Sequence, residues 1–197
     1  MSHRLLQTVL DQVRDINRAT LEDVIWLAIE IAREGREGRK VGTLFVISDA
    51  ENVLKHSKPL ILDPLLGHPD NKKRINDPNM RETIKELAQL DGAFVVTDDG
   101  ICVSATRYIE TFVEDIELPL GLGSRHVAAA SITKRTRAVS VVVSESSTVR
   151  VFYNGEIISE IIPEIWLLSR HDLHMKGPRA EETDDNLTVL SKAEKPE

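Results

Sequence analysis

The chain has 197 residues, 41% of them hydrophobic, 29% charged and only 4% aromatic, with a formal net charge of -7. Such a length and composition fit one globular domain with an aliphatic core. The acidic balance excludes a general nucleic-acid or anionic-membrane binder, which needs a basic face. Leu5, Leu6, Val9, Leu10, Val13 and Ile16 recur at helical spacing and predict a first amphipathic helix within residues 1–18. Thr20 is expected to cap a second helix, with Asp23 three residues on. Its apolar face carries Leu21, Val24, Ile25, Leu27, Ala28 and Ile31, and Gly35 and Gly38 end it. Residues 1–40 are thus read as helices packed on a domain spanning 41–175.

The stretch 42–48 is short, apolar and β-rich, so it reads as a buried central strand. Pro59, Pro64, Pro69 and Pro78 then make 49–78 a long loop expected to hold no helix. Asp77-Pro78 opens a helix reaching about Leu90. Residues 93–97 and 101–105 form a hairpin about Asp98-Asp99-Gly100. Cys102, in its second arm, is the lone cysteine, which excludes an intramolecular disulfide and a cysteine zinc site. A helix from Arg125 to about Arg135 follows, then strands at 138–143, 148–153 and 156–162, the last two joined by Asn154-Gly155. The fold class is therefore α/β (mixed), a β-rich mixed sheet flanked by helices. From Lys176 onward the chain is polar, acidic and free of aromatics, and residues 176–197 are expected to be a disordered tail. No signal-peptide core follows Met1, and no apolar run nears the ~20 residues of a membrane span. A cytoplasmic protein is the expectation.

Three places offer chemistry. Gly121-Leu122-Gly123-Ser124-Arg125-His126 is a glycine-hinged loop entering a helix, with Ser124 read as its cap. Cations in a first turn oppose the helix dipole, so Arg125 and His126 there read as partners for an anion such as phosphate. Asp91-Gly92-Ala93 sits where a helix gives way to a strand. A carboxylate there suits a divalent metal or a proton from a sugar hydroxyl, although turn aspartates that only satisfy local amides are common. Glu145 follows the apolar strand 138–143, where α/β sheets tend to bind ligands. His171 and His174, spaced i, i+3, lack a visible third metal ligand. No Walker loop, dinucleotide glycine motif or nucleophile elbow is present.

Taken together, Asp91-Gly92-Ala93, then Gly123-Ser124-Arg125-His126 about thirty residues later, then Ser144-Glu145, resembles the diadenylate cyclase domain. This is also the nucleotide-binding domain of the DNA-integrity-scanning proteins. Its signatures are Asp-Gly-Ala and Arg-His-Arg, and the resemblance covers about residues 40–160. The chain is similar to archaeal, stand-alone members without transmembrane segments or a DNA-binding tail. The resemblance implies condensation of two ATP into cyclic di-adenosine monophosphate (cyclic di-AMP), with release of two pyrophosphates, between two facing copies of the chain. It implies a divalent metal, manganese or magnesium, at Asp91 and Glu145, with Asp91 also at the attacking hydroxyl. Gly92 and Ala93 would line the nucleotide, and Gly123, Ser124, Arg125 and His126 would hold phosphates. Leu118 and Leu120 would lie against the base. Asp91, Arg125 and His126 are the catalytic set so implied. Val127 departs from the family pattern, which has arginine there; Lys72, Lys73, Arg74 and Arg107 are the candidates to compensate. The alternatives are a module that binds ATP or cyclic di-AMP without turnover, and a purely structural dimerisation domain.

Overall fold

The computed structural model describes residues 6–112, 116–163, 178–184 and 187–193. Its strands are β1 (Thr43–Ile47), β2 (Ser57–Pro59), β3 (Ala93–Val96), β4 (Cys102–Ile109), β5 (Val139–Val143), β6 (Val149–Tyr153), β7 (Glu156–Ile162), β8 (Arg179–Asp184) and β9 (Leu187–Lys192). They form one sheet in the order β2-β4-β3-β1-β5-β6-β7-β9-β8. The pairing of β1 with β3 is parallel, and the other pairings are antiparallel. This is the mixed sheet expected from the sequence.

Helices cover both faces: α1 (Gln7–Gln12), α2 (Arg18–Glu34), α3 (Ala50–Lys55), α4 (Pro78–Leu87) and α5 (Ser124–Arg135). Strand alternation sends β1 side chains to two cores. Phe45 and Ile47 join the cluster under α1, α2 and α4, where Phe45 stacks on Phe94 at 5.0 Å. Leu44 and Val46 join the cluster that includes Ala129, Ala130 and Ile132 of α5. Every residue of β1 is buried, as a central strand with both faces covered requires. Burial also raises the Cys102 thiol pKa, chiefly by desolvation, which leaves it inert.

Several local expectations are corrected. Helix α2 is capped by Asn17, whose side chain accepts from the Ala19 and Thr20 amides, and not by Thr20. Thr20 is buried and its hydroxyl donates to the Asp98 carbonyl at 2.8 Å. The stretch 49–78 contains α3, β2 and a short 3-10 turn at Asp70–Lys72. Asp63 pins its irregular part by accepting from the Leu65 and Ala105 amides and the Ser104 hydroxyl. The polar tail forms the β8–β9 hairpin, because the free edge of β7 offers β9 a partner from Ser159 to Ile162. Leu187 and Val189 turn to one core and Leu190 to the other. Helix α1 meets this hairpin through Gln12, whose amide donates to the Lys192 carbonyl at 2.9 Å. No helix among the described residues is long and apolar enough to cross a membrane. His171 and His174 lie outside the described residues.

Candidate functional site

Three elements bring the predicted motifs together. The turn before β3 presents Asp91, the start of α5 presents Arg125, and the end of β5 presents Glu145. The Arg125 guanidinium bridges the two carboxylates: Nη2 lies 3.4 Å from Asp91 Oδ1 and Nη1 lies 3.4 Å from Glu145 Oε1. Both carboxylates are exposed, at 80% and 71%, and Arg125 is half-buried. Long, exposed ion pairs of this kind add little stability. Moreover, Arg125 Nε is buried and has no hydrogen-bond partner among the described residues. A guanidinium spread over two loose contacts can exchange them for an anion.

Backbone geometry explains the glycines. Gly92 has φ +105, and a Cβ there would stand 2.5 Å from the Thr106 carbonyl carbon and 2.8 Å from the Arg107 nitrogen. Thr106 itself has φ +54, at a register shift between β3 and β4. The bulge and the glycine fit each other and fix the height of Asp91 over the sheet. Asp91 Oδ1 accepts from the Gly92 amide at 2.9 Å, which holds the carboxylate in place. We expect Gly92→Ala to destabilise the fold by about 2 kcal/mol or more, combining a clash with a left-handed φ. Thermal unfolding checks this; an unchanged Tm would contradict it. Gly42 is a site residue that the sequence reading left unassigned. A Cβ there would meet Arg125 Nη1 at 2.8 Å and Glu145 Cγ at 3.1 Å, so its bareness makes room for the cluster.

Helix α5 begins one residue earlier than expected. Gly123 is its N-cap and Ser124 its first helical residue, with no side-chain cap. Ser124 and Arg125 form a ridge between two cavities. The first, about 420 Å³, is walled by Leu44, Leu60, Ala93, Ile109, Val127 and Ala128, with Tyr108 and Arg107 beside them and Asp91 at one end. Mostly apolar walls with polar groups at one end suit a small organic ligand. The second, about 340 Å³, is lined by Gly121 to His126, Val142 to Ser146, and Arg150.

The remaining predicted residues fall less well. His126 is buried at 6% exposure, with Nε2 3.1 Å from Arg150 Nη1. It lines the second cavity from this buried position. Leu118 packs against the α5-side core and Leu120 is 98% exposed; neither lines either cavity. Tyr108 and Ile109 occupy the apolar wall instead. Of the four cations considered for Val127, Arg107 alone lines the first cavity. Its guanidinium is held by the Leu54 and Ser57 carbonyls, at 3.2 and 2.8 Å, and the Ser57 hydroxyl. Lys73 pairs with Asp70, and Arg74 donates to the Asp99 carbonyl.

The family model described as DisA bacterial checkpoint controller nucleotide-binding (DAC) matches residues 30–157. The chain belongs to this family. That match contains Asp91, Arg125 and Glu145, and so spans the whole DAC cluster just described. A protein named diadenylate cyclase from Methanocaldococcus jannaschii is 48% identical over 164 residues, covering 83% of this chain and 52% of the relative. A diadenylate cyclase from Haloferax volcanii is 42% identical over 147 residues, covering 74% of this chain and 54% of the relative. The chain thus spans about half the length of these curated relatives. A solved structure titled as a hypothetical membrane spanning protein from Bacillus cereus shares the fold, with TM-score 0.53 at 20% identity. That likeness covers 71% of this DAC chain and 66% of the other.

Proposed function

We propose that this chain is a diadenylate cyclase, condensing two ATP into cyclic di-AMP with release of two pyrophosphates between two facing copies. The observation that carries this reading is the convergence of Asp91, Arg125 and Glu145 on one ridge, beside a cavity of nucleoside size. The names of the two archaeal relatives support it. Adenosine sits in the first cavity, against Tyr108 and Ile109, and the phosphates lie toward Ser124 and Arg125. The 3′-oxygen of one nucleotide bonds to the α-phosphorus of the other. The bond from that phosphorus to the bridging oxygen breaks, and pyrophosphate leaves with the electron pair. Asp91 takes up the hydroxyl proton or holds the group that does. Arg125 and the first amides of α5 neutralise charge on the transferring and leaving phosphates.

Asp91 and Glu145 also fit a magnesium or manganese ion, which prefers carboxylate oxygens. Two carboxylates do not fill a six-oxygen shell, and no group of three or more His, Cys, Asp or Glu among the described residues is placed to hold an ion. Asp91 and Glu145 would therefore hold such an ion only together with groups from outside the chain, such as the nucleotide's phosphates. When bound, the ion offsets phosphate charge and makes the attacking hydroxyl easier to deprotonate.

The described residues of one chain carry one such cluster, yet the product contains two new bonds. Two copies about a twofold axis give both bonds the same geometry. A charge of -7 on each chain opposes that encounter at low salt. Specific activity is therefore expected to rise with enzyme concentration until the active pair saturates. Activity assays across a dilution series, alongside light scattering, check this. Constant specific activity where scattering shows only monomer would contradict the two-chain reaction.

A further inference from the structure

Arg150 of β6 lines the second cavity while being only 3% exposed. Its register partner on β7 is Glu160, 1% exposed. Arg150 Nε donates to Glu160 Oε1 at 2.6 Å, and Arg150 Nη1 stands 3.1 Å from His126 Nε2. A guanidinium only donates, so the histidine nitrogen is the acceptor in that contact. Arg150 thus carries the cationic end of this cluster, and Glu160 offsets its charge from the β7 side.

A buried ion pair is a poor device for stability, because desolvating two charges cancels most of their attraction. Apolar side chains of similar volume would hold β6 and β7 together as well. What sets this pair apart is its position under a polar hollow. Ser124, Ser144 and Ser146 line that hollow, with Arg125 at its edge. The Arg125 guanidinium, in long contacts with two exposed carboxylates, borders the same hollow. The backbone amides that open the twelve-residue helix α5 border the same space.

On the nucleotide reading the β,γ-phosphate tail lies in the second cavity, and we infer that Arg150 is the buried side chain that anchors it there. This rests on the nucleotide reading above and deepens it. The nucleoside occupies the first cavity, the tail occupies the second, and Ser124 and Arg125 form the ridge where the α-phosphate crosses. It also accounts for Val127. That side chain faces the first cavity, where the apolar nucleoside lies. The charge missing from the helix start is supplied to the tail from the sheet.

The test is direct binding of ATP, AMP and inorganic tripolyphosphate by calorimetry, with wild type and the paired variant Arg150→Leu/Glu160→Leu. This variant removes both charges of the buried pair at once; Arg150→Gln/Glu160→Gln serves if the apolar pair does not fold. Loss of one charge-assisted contact is expected to weaken ATP and tripolyphosphate about tenfold or more. AMP, which has no β,γ-tail, is expected to stay within about twofold, as one unmade contact dictates. A role confined to sheet stability would lower Tm and leave the ratio of ATP to AMP affinity unchanged. An unchanged ratio in either folded variant, or a wild type that binds ATP no tighter than AMP, overturns the inference. These titrations need no turnover. A chain that binds the tail through Arg150 without making cyclic di-AMP sinks the cyclase reading alone. Cyclic di-AMP formation with an unchanged ratio sinks the Arg150 inference alone.

Discussion

Asp91→Asn is expected to reduce cyclic di-AMP formation by roughly 10²–10⁴-fold, the usual worth of a positioned proton acceptor. The substitution keeps the shape of the side chain and removes its charge. Asparagine can still accept from the Gly92 amide, as Asp91 Oδ1 does at 2.9 Å, so the turn before β3 survives. The pairing lost is the exposed 3.4 Å contact to Arg125. Stability should therefore move by no more than about 0.5 kcal/mol. Steady-state rates at saturating metal, with Tm measured in parallel, check both halves. Near wild-type activity would remove Asp91 from the mechanism. Lost activity together with a collapsed Tm would make it a structural residue.

Arg125→Ala should lower kcat/KM for ATP by about 10²-fold or more, the scale for removing one donor aimed at developing charge. Stability is expected to hold or rise slightly. Arg125 is a cation in the first turn of α5, where the helix dipole disfavours it, and its buried Nε lacks an acceptor among the described residues. Alanine relieves both costs and is a better helix former. Falling activity with an unchanged or higher Tm is the signature of a residue kept for its ligand. A parallel fall in Tm and activity would mean that Arg125 mainly holds Asp91 and Glu145 in place.

Much of this was legible in the chain because it is local. Asn154-Gly155 supplies the positive φ values, 51 and 83, that the β6–β7 turn needs. Asp77 and Pro78 open α4 with the expected cap geometry. Asp91-Gly92-Ala93 and Ser124-Arg125 each declare a backbone role and a charge out of keeping with it. What stayed hidden depends on distant partners. The β8–β9 hairpin reads as a polar tail, and becomes strand because β7 has an open edge. Helix α3 sits in a proline-rich stretch whose prolines fall outside it. Arg150 alternates with Val149 and Val151 like any strand residue; only its register with Glu160 and its reach to His126 mark it. His126 reads as a neighbour of Arg125 on the helix start, and only the fold shows that it is buried against Arg150 while lining the second cavity. Leu118 and Leu120 precede α5 in sequence, while the cavity wall comes from Tyr108 and Ile109 on β4.

The central claim is tested most directly by incubating the purified chain with ATP and magnesium or manganese and detecting the product by mass. Cyclic di-AMP is expected, with two pyrophosphates released for each molecule formed, above a heat-killed control. ATP binding without any cyclic product would contradict it, and would make the Asp91–Arg125–Glu145 ridge the mouth of a nucleotide-holding module.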